Sequence, residues 1–197
     1  MPMIRLFDIL FSTIGLLILS PLFLIIYIII IIESKGGGFY SQTRVGKNGI
    51  PFAIYKFRSM RTDADKHGLI TVGGRDPRIT RIGYYIRKYK IDELPQLWNV
   101  LVGDMSLVGP RPEVQKYVDL YTEEQRKVLS VRPGITDYAS IEYVDENILL
   151  AKSDDPDRTY VEVVMPAKIV LNMKYINNKS LKEYFKIIFL TLAKIVG

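Results

Sequence analysis

Residues 9–32 read ILFSTIGLLILSPLFLIIYIIIII, 24 consecutive positions without a charge, bounded by Asp8 and Glu33. As one helix they would extend about 36 Å, more than the ~30 Å hydrocarbon core of a bilayer. The run is too long for a signal-peptide core, and Glu33-Ser34-Lys35 is not a small-residue cleavage site. A soluble core helix does not suit it either, because the stretch is apolar on every face and the remaining chain is too small to cover it. Membrane insertion is the expectation. Ser20-Pro21 falls at the centre of the run. Pro21 cannot donate to the carbonyl of Leu17 and its ring crowds that turn, so a kink is expected. The Ser20 hydroxyl can partly satisfy the freed backbone. Two forms meet these conditions: a kinked single span, which is the commoner case, and a helix that bends near mid-depth and leaves by the face it entered.

Charge then assigns a side. Residues 1–34 carry a net charge of −1. Residues 35–90 hold 13 Lys and Arg against three Asp, a net of +10, and residues 91–197 carry a net of −3. A basic segment directly after a hydrophobic helix stays cytoplasmic by the positive-inside rule. It also lies against the anionic inner leaflet, where each cation contributes on the order of 1 kcal/mol. Adhesion to the lipid bilayer accounts for such a segment, and so does a phosphate-bearing substrate; composition does not separate the two. Nucleic acid is not expected, since the aromatic residues form no stacking-module pattern.

The 197 residues allow one ordinary domain plus an attachment. The absence of cysteine removes disulfides, thiolate nucleophiles and Cys-based metal sites. His67, the single histidine, removes two-histidine zinc sites and leaves a Ser-His-Asp triad one badly placed base. Hydrophobic residues at 48% and charged residues at 24% describe a folded chain.

After Gly36-Gly37-Gly38, FYSQTRVGKNGIPFAIYKFRSM reads as two strands around Gly46-Lys47-Asn48-Gly49, a strong hairpin signal. Residues 62–76 are turn-rich and read as loop. Helices are expected over 79–89, over 94–108 with a stop near Gly103, over 113–129, 161–176 and 180–196, with 142–158 an acidic loop holding one helical turn. Pro110-Arg111-Pro112 must be a rigid extended turn. The last helix has a wide apolar face, suited to the core or to the membrane interface. The expected architecture is α+β: mainly helical with a small β-hairpin, residues 1–35 as a membrane helix and 36–197 as a cytoplasmic domain.

Within it, residues 87–113 read RKYKIDELPQLWNVLVGDMSLVGPRPE. Asp92 and Glu93 are adjacent, and Pro95 suits the first turn of a helix, so Asp92 is a natural N-cap. A helix N-terminus is a ready phosphate site. Neighbouring helical residues point about 100° apart, so the two carboxylates can divide their work, one attacking while the other binds a metal or proton. The plainer alternative is that Asp92 caps and Glu93 favours the helix dipole. Arg87, Arg111 between its two prolines, and Lys56 with Arg58 on one strand-like segment are candidate phosphate ligands, arginine in particular for its bidentate fork. Nearby cations would keep Asp92 ionised, as a nucleophile must be.

YKFRSM at 55–60, the block IDELPQLWNVLVGDMSLVGPRPE at 91–113 and RPGIT at 132–136 together resemble the bacterial sugar transferase family, in its small monotopic form. These are phosphoglycosyl transferases that load a sugar phosphate onto polyprenyl phosphate. The resemblance spans the chain. It implies that Asp92 attacks the β-phosphate of a UDP-sugar, expelling UMP and leaving a sugar phosphate on the carboxylate, and that polyprenyl phosphate then takes this group in a ping-pong scheme. Glu93 would assist, Asp92 and Glu93 would hold Mg²⁺, and Lys56, Arg58, Arg87 and Arg111 would bind phosphates. The family's Ser-Pro break, here Ser20-Pro21, implies a re-entrant helix with both ends cytoplasmic, on the bacterial inner membrane. Amphipathic interfacial helices and downstream glycosyltransferases as partners are implied as well. One departure stands out: many relatives follow RPGIT with Gly and then a Trp- or Ala-Gln pair, where this chain has Asp137-Tyr138-Ala139-Ser140. The nucleotide-sugar contacts of the C-terminal third are therefore not carried over.

Two competing functions remain. A non-catalytic anchored module would use its basic face for anionic lipid or a protein partner. A hydrolase, or a transferase to a protein acceptor, would release UMP without polyprenyl phosphate.

Overall fold

The computed structural model describes residues 1–64, 73 and 76–196. His67 and most of the loop expected over 62–76 lie outside the described residues. The fold is mainly helical with two small sheets, as expected. The long helix α1 runs Pro2–Glu33 and continues through Pro21. Ser20 Oγ donates to Leu17 O at 2.9 Å, supplying the carbonyl that the proline leaves without a partner.

Helix α1 touches the rest of the protein at both ends. Near its start, Ile4 packs with Val108, Tyr175, Tyr184 and Ile187. Near its end, Ile26 and Ile30 pack with Phe57 and Ile86. The outward positions between, Leu17, Ile18 and Leu24, are exposed apolar side chains.

Charged residues bind these ends. Arg5 donates to the carbonyls of Val100 and Leu101 at 2.5 and 2.8 Å, closing the C-terminus of α3 (Gln96–Val102). Glu33 accepts from the backbone N–H groups of Arg81 and Ile82, opening α2 (Arg81–Lys88). Cation at a C-terminus and anion at an N-terminus are the favourable signs for each helix dipole. The carboxylate of Asp8 is 2% exposed, and its Oδ1 accepts from Ser106 Oγ, Leu107 N and Tyr184 Oη at 2.9–3.0 Å. Asp8→Ala would strand three buried donors, and a loss of about 3 kcal/mol or more is expected in denaturant unfolding of the detergent-solubilised protein.

The hairpin forms where Asn-Gly announced it. β1 (Phe39–Val45) pairs antiparallel with β2 (Pro51–Phe57), from Phe39 opposite Phe57 to Val45 opposite Pro51. Asn48 and Gly49 in the connection take φ of 58° and 80°. Tyr40, Gln42 and Arg44 alternate along one face of β1, with Lys56 opposite Tyr40. The far edge of β2 is met by a side chain: Asn99 on α3 accepts from Tyr55 N and donates to Ala53 O, imitating a neighbouring strand.

Helix α3 stops at Gly103, φ 104°, as expected, and the chain beyond it forms a three-residue strand, β3 (Ser106–Val108), that the sequence reading did not anticipate. β3 runs parallel to β4 (Gly134–Thr136), so RPGIT is a strand beside the one that leads into Pro110-Arg111-Pro112. The single helix expected over 113–129 is divided into α4 (Gln115–Val118) and α5 (Glu123–Arg126), because Thr122 opens a new helix with a capping box to Gln125. Helix α6 (Tyr138–Glu142) leads into the acidic stretch, which is more helical than expected, with α7 (Glu146–Leu150) and α8 (Pro156–Thr159). A π-helical turn at Tyr160–Val164 leads into α9 (Met165–Asn177), and α10 (Leu181–Val196) follows. The last helix packs on the core through one face: Tyr184 and Ile187 are buried there, while Phe189 and Leu192 remain exposed.

Candidate active site

The corner between α2 and α3 sets the site. Lys90 takes the left-handed conformation, φ 56°, which a lysine rarely adopts, and turns the chain into a 3₁₀ turn over Ile91–Glu93. Asp92 therefore lies inside the turn and does not cap α3. That helix begins at Gln96, preceded by Pro95 and without a side-chain cap. The expectation of an N-cap is corrected on this point, and the correction matters chemically. Asp92 is 4% exposed and borders a cavity, yet its carboxyl accepts no hydrogen bond from another described residue.

Glu93 is in the opposite condition. It accepts from Lys56 Nζ at 2.8 Å and from both terminal nitrogens of Arg111, a bidentate clamp. Strand β2 presents the lysine and the proline-flanked turn presents the arginine, so one carboxylate joins three segments distant in sequence. The two acids are driven apart. Arg111 and Lys56 outweigh burial and hold Glu93 well below the usual carboxylate range. Burial, together with the charge of Glu93, pushes Asp92 up against the pull of Lys56, Arg87 and Arg111. The Glu93 carboxylate raises Arg111, and burial lowers Lys56.

The position of Arg111 depends on a close crossing of backbone. Gly109 N donates to Thr136 O at 3.0 Å, and Gly134 N donates to Pro110 O at 2.9 Å. A Cβ on Gly134 would lie 2.1 Å from Gly109 N. Around the turn, Asp137 accepts from Arg111 N at 3.3 Å while capping α6 through Ser140 N, and Arg44 donates to Pro112 O at 3.1 Å. Burial pushes the Asp137 carboxyl up. Sequence reasoning assigned no role to Asp8, Arg44, Asn99 or Asp137. For Asp137 a signal existed, an aspartate three residues before Ser140 at a helix start; for Arg44 and Asn99 there was none.

Lys56, Arg87, Asp92, Glu93 and Arg111 all border one cavity of about 990 Å³, within the range of small-ligand sites. Arg87 also approaches Ser59 Oγ at 3.5 Å. Arg58 is different. It is buried, and its guanidinium donates to the carbonyls of Ser34, Lys35 and Gly36, so that it closes the C-terminal end of α1. The reason is the end of β2 at Phe57: past it, the alternation that grouped Arg58 with Lys56 no longer applies.

Mg²⁺ is ordinarily held by one or two carboxylates together with substrate phosphates. Among the described residues no group of three or more acidic or histidine side chains forms a protein-only cage. The cavity-facing, donor-free carboxyl of Asp92 suits an ion completed by phosphates. Glu93 is already held by Lys56 and Arg111, with one acceptor site left on Oε2.

Residues 1–197 match the family model described as bacterial sugar transferase. The chain is 40% identical over 194 residues, 96% of its length, to the UDP-N-acetylgalactosamine-undecaprenyl-phosphate N-acetylgalactosaminephosphotransferase of Aeromonas hydrophila. It is 40% identical over 204 residues, 98% of its length, to the galactosyl transferase CpsE of Streptococcus agalactiae. It spans 42% of the length of each of these two relatives. The exopolysaccharide production protein PSS of Rhizobium leguminosarum is 38% identical over 197 residues, which are 96% of this chain and 92% of that protein. With its long apolar helix, its Asp-Glu corner and its proline-bracketed arginine, the chain belongs to the bacterial sugar transferase family.

Proposed function

We propose that the protein transfers a sugar 1-phosphate from a UDP-sugar to a polyprenyl phosphate such as undecaprenyl phosphate, releasing UMP, by a ping-pong route through a phosphosugar ester on Asp92. The observation that carries this reading is the carboxyl of Asp92, buried, without a hydrogen-bond donor among the described residues, and within the field of Lys56, Arg87 and Arg111. A carboxylate kept only for stability would have a partner. The named activity of the Aeromonas relative, with a UDP-sugar donor and an undecaprenyl-phosphate acceptor, supports the substrate class.

In the first step an Asp92 oxygen attacks the β-phosphorus, the bond from that phosphorus to the bridging diphosphate oxygen breaks, and the oxygen leaves with UMP. In the second, a phosphate oxygen of the lipid attacks the same phosphorus and the bond to Asp92 breaks, restoring the carboxylate. A more basic Asp92 is a better nucleophile once ionised, and Glu93, held ionised, keeps Lys56 and Arg111 in place beside it. Those two cations and Arg87 offset charge on the phosphoryl oxygens, where positioning and electrostatics supply most of the catalysis. Mg²⁺, when bound through Asp92 and the phosphates with Glu93 beside it, would add to that neutralisation. Arg58 holds the end of α1 in this scheme, at the border of the same cavity.

The test is incubation with a panel of UDP-sugars and undecaprenyl phosphate, reading UMP and the lipid-linked product. Turnover with lipid, and no more than one UMP per enzyme without it, is expected. No UMP with any donor would refute the reading, and steady release without lipid would indicate a hydrolase.

Helix α1 acts as a re-entrant element in this reading, with the domain on the cytoplasmic face of the bacterial inner membrane. Its support is geometric: Arg5 and Glu33, at opposite ends of α1, both bind the same domain, which a helix crossing to the other side would not allow. The site is thereby held where a soluble nucleotide and a lipid phosphate meet. A cysteine at Met3 should resist an impermeant thiol reagent applied to intact cells and react after permeabilisation; labelling from outside would restore the simple span.

A further inference from the structure

The scheme above leaves unused an ion pair in the same cavity. Lys168 on α9, only 9% exposed, donates from Nζ to Glu146 Oε2 of α7 at 2.7 Å, and both residues line the cavity. The ammonium also lies 5.4 Å from the centre of the Tyr160 ring. Glu146 Oε1 accepts no hydrogen bond from a described residue. Nearby in sequence, Ser140 lines the cavity too, and its Oγ is buried without a partner.

Stability explains little of such a pair, whose Lys168 side chain is 11% and Glu146 side chain 28% exposed, since apolar residues of similar volume in place of a largely buried ion pair are commonly neutral or stabilising. The pair is also electrostatically coupled to the transfer site: Glu146 acts on Arg111, and Lys168 acts on Asp137, which holds the Arg111 backbone. Of the parts of a UDP-sugar, the phosphates match the cations around Asp92. The hexose is the part whose every hydroxyl both donates and accepts. An ammonium with spare N–H groups beside a carboxylate with a spare oxygen presents both functions at a fixed separation.

We propose that Glu146 and Lys168 read hydroxyl groups on the sugar of the nucleotide-sugar donor and so determine which sugar is transferred. This rests on the functional reading above. A site built to hydrogen-bond a hydroxyl discriminates strongly against a donor that presents it elsewhere, because its own buried groups are then left unpaired.

The test compares UDP-glucose with UDP-galactose, and UDP-N-acetylglucosamine with UDP-N-acetylgalactosamine, in wild type, Glu146→Gln, Lys168→Met and the exchanged double variant E146K/K168E. The ratio of kcat/KM within an epimer pair should change by about tenfold or more in each single variant, while inhibition by UDP, which lacks the sugar, stays within about twofold. The double variant should recover the melting temperature and not the wild-type ratio. Unchanged ratios in both single variants would overturn the proposal. So would a parallel loss of UDP inhibition, which would assign the pair to the nucleotide, and so would full recovery of discrimination by the double variant, which would make the ion pair structural. Absence of UMP release from wild type with every donor would instead refute the activity itself, and the proposal with it.

Discussion

Asp92→Asn should lower UMP release from UDP-sugars by at least about 10⁴-fold, because the amide cannot form the ester on which both half-reactions depend. Stability should move the other way or not at all. The asparagine has the same volume, and it removes a buried negative charge that no described donor compensates and that sits beside a second, ionised acid. Denaturant midpoint and UMP assay together separate this from ordinary damage: the midpoint should hold or rise while turnover vanishes. A non-catalytic module predicts the reverse, a small loss of stability from a weakened helix start and no turnover to lose. Since Asp92 does not cap α3, even that small loss is not expected.

Gly134→Ala should be among the most damaging single-methyl changes around the site. The added Cβ would fall 2.1 Å from the nitrogen, 2.5 Å from the oxygen and 2.7 Å from the Cα of Gly109. All three are backbone atoms of the residue that directly follows β3, so no side chain can rotate away, and the β3 and β4 segments must separate. Overpacking of this kind costs about 3 kcal/mol or more, read as a shift of the denaturant midpoint. The protein that remains folded should have lost activity as well, because the separation carries Gly109-Pro110-Arg111 with it and slackens the clamp on Glu93. A midpoint shift worth less than about 1 kcal/mol would show that the crossing is looser than the geometry indicates.

What could be read in the sequence follows from how local the physics is. The long apolar helix was legible because 24 uncharged residues run without a break, and the role of Ser20 followed from the single carbonyl that Pro21 leaves unpaired. The hairpin was legible because Asn48-Gly49 tolerates positive φ. Lys56, Arg87, Asp92, Glu93 and Arg111 were named together and border one cavity. The β3–β4 pair was not legible: three residues carry no period, and the mutual approach of Gly109 and Gly134 joins positions far apart in the chain. For the same reason the bonds of Arg58 to the carbonyl cluster at the end of α1 were not legible, although Arg58 does border the cavity with the other named cations. Asp92 was read as a cap because Pro95 suits a first helical turn; the left-handed Lys90, with no side-chain signature, moved the start of the helix past it.

The most direct measurement is intact-protein and peptide mass spectrometry after incubation with a UDP-sugar in the absence of polyprenyl phosphate. The account predicts the added mass of one sugar phosphate, confined to the peptide that contains Asp92 and discharged when the lipid phosphate is supplied. An unmodified Asp92 peptide in enzyme that has released UMP would contradict it.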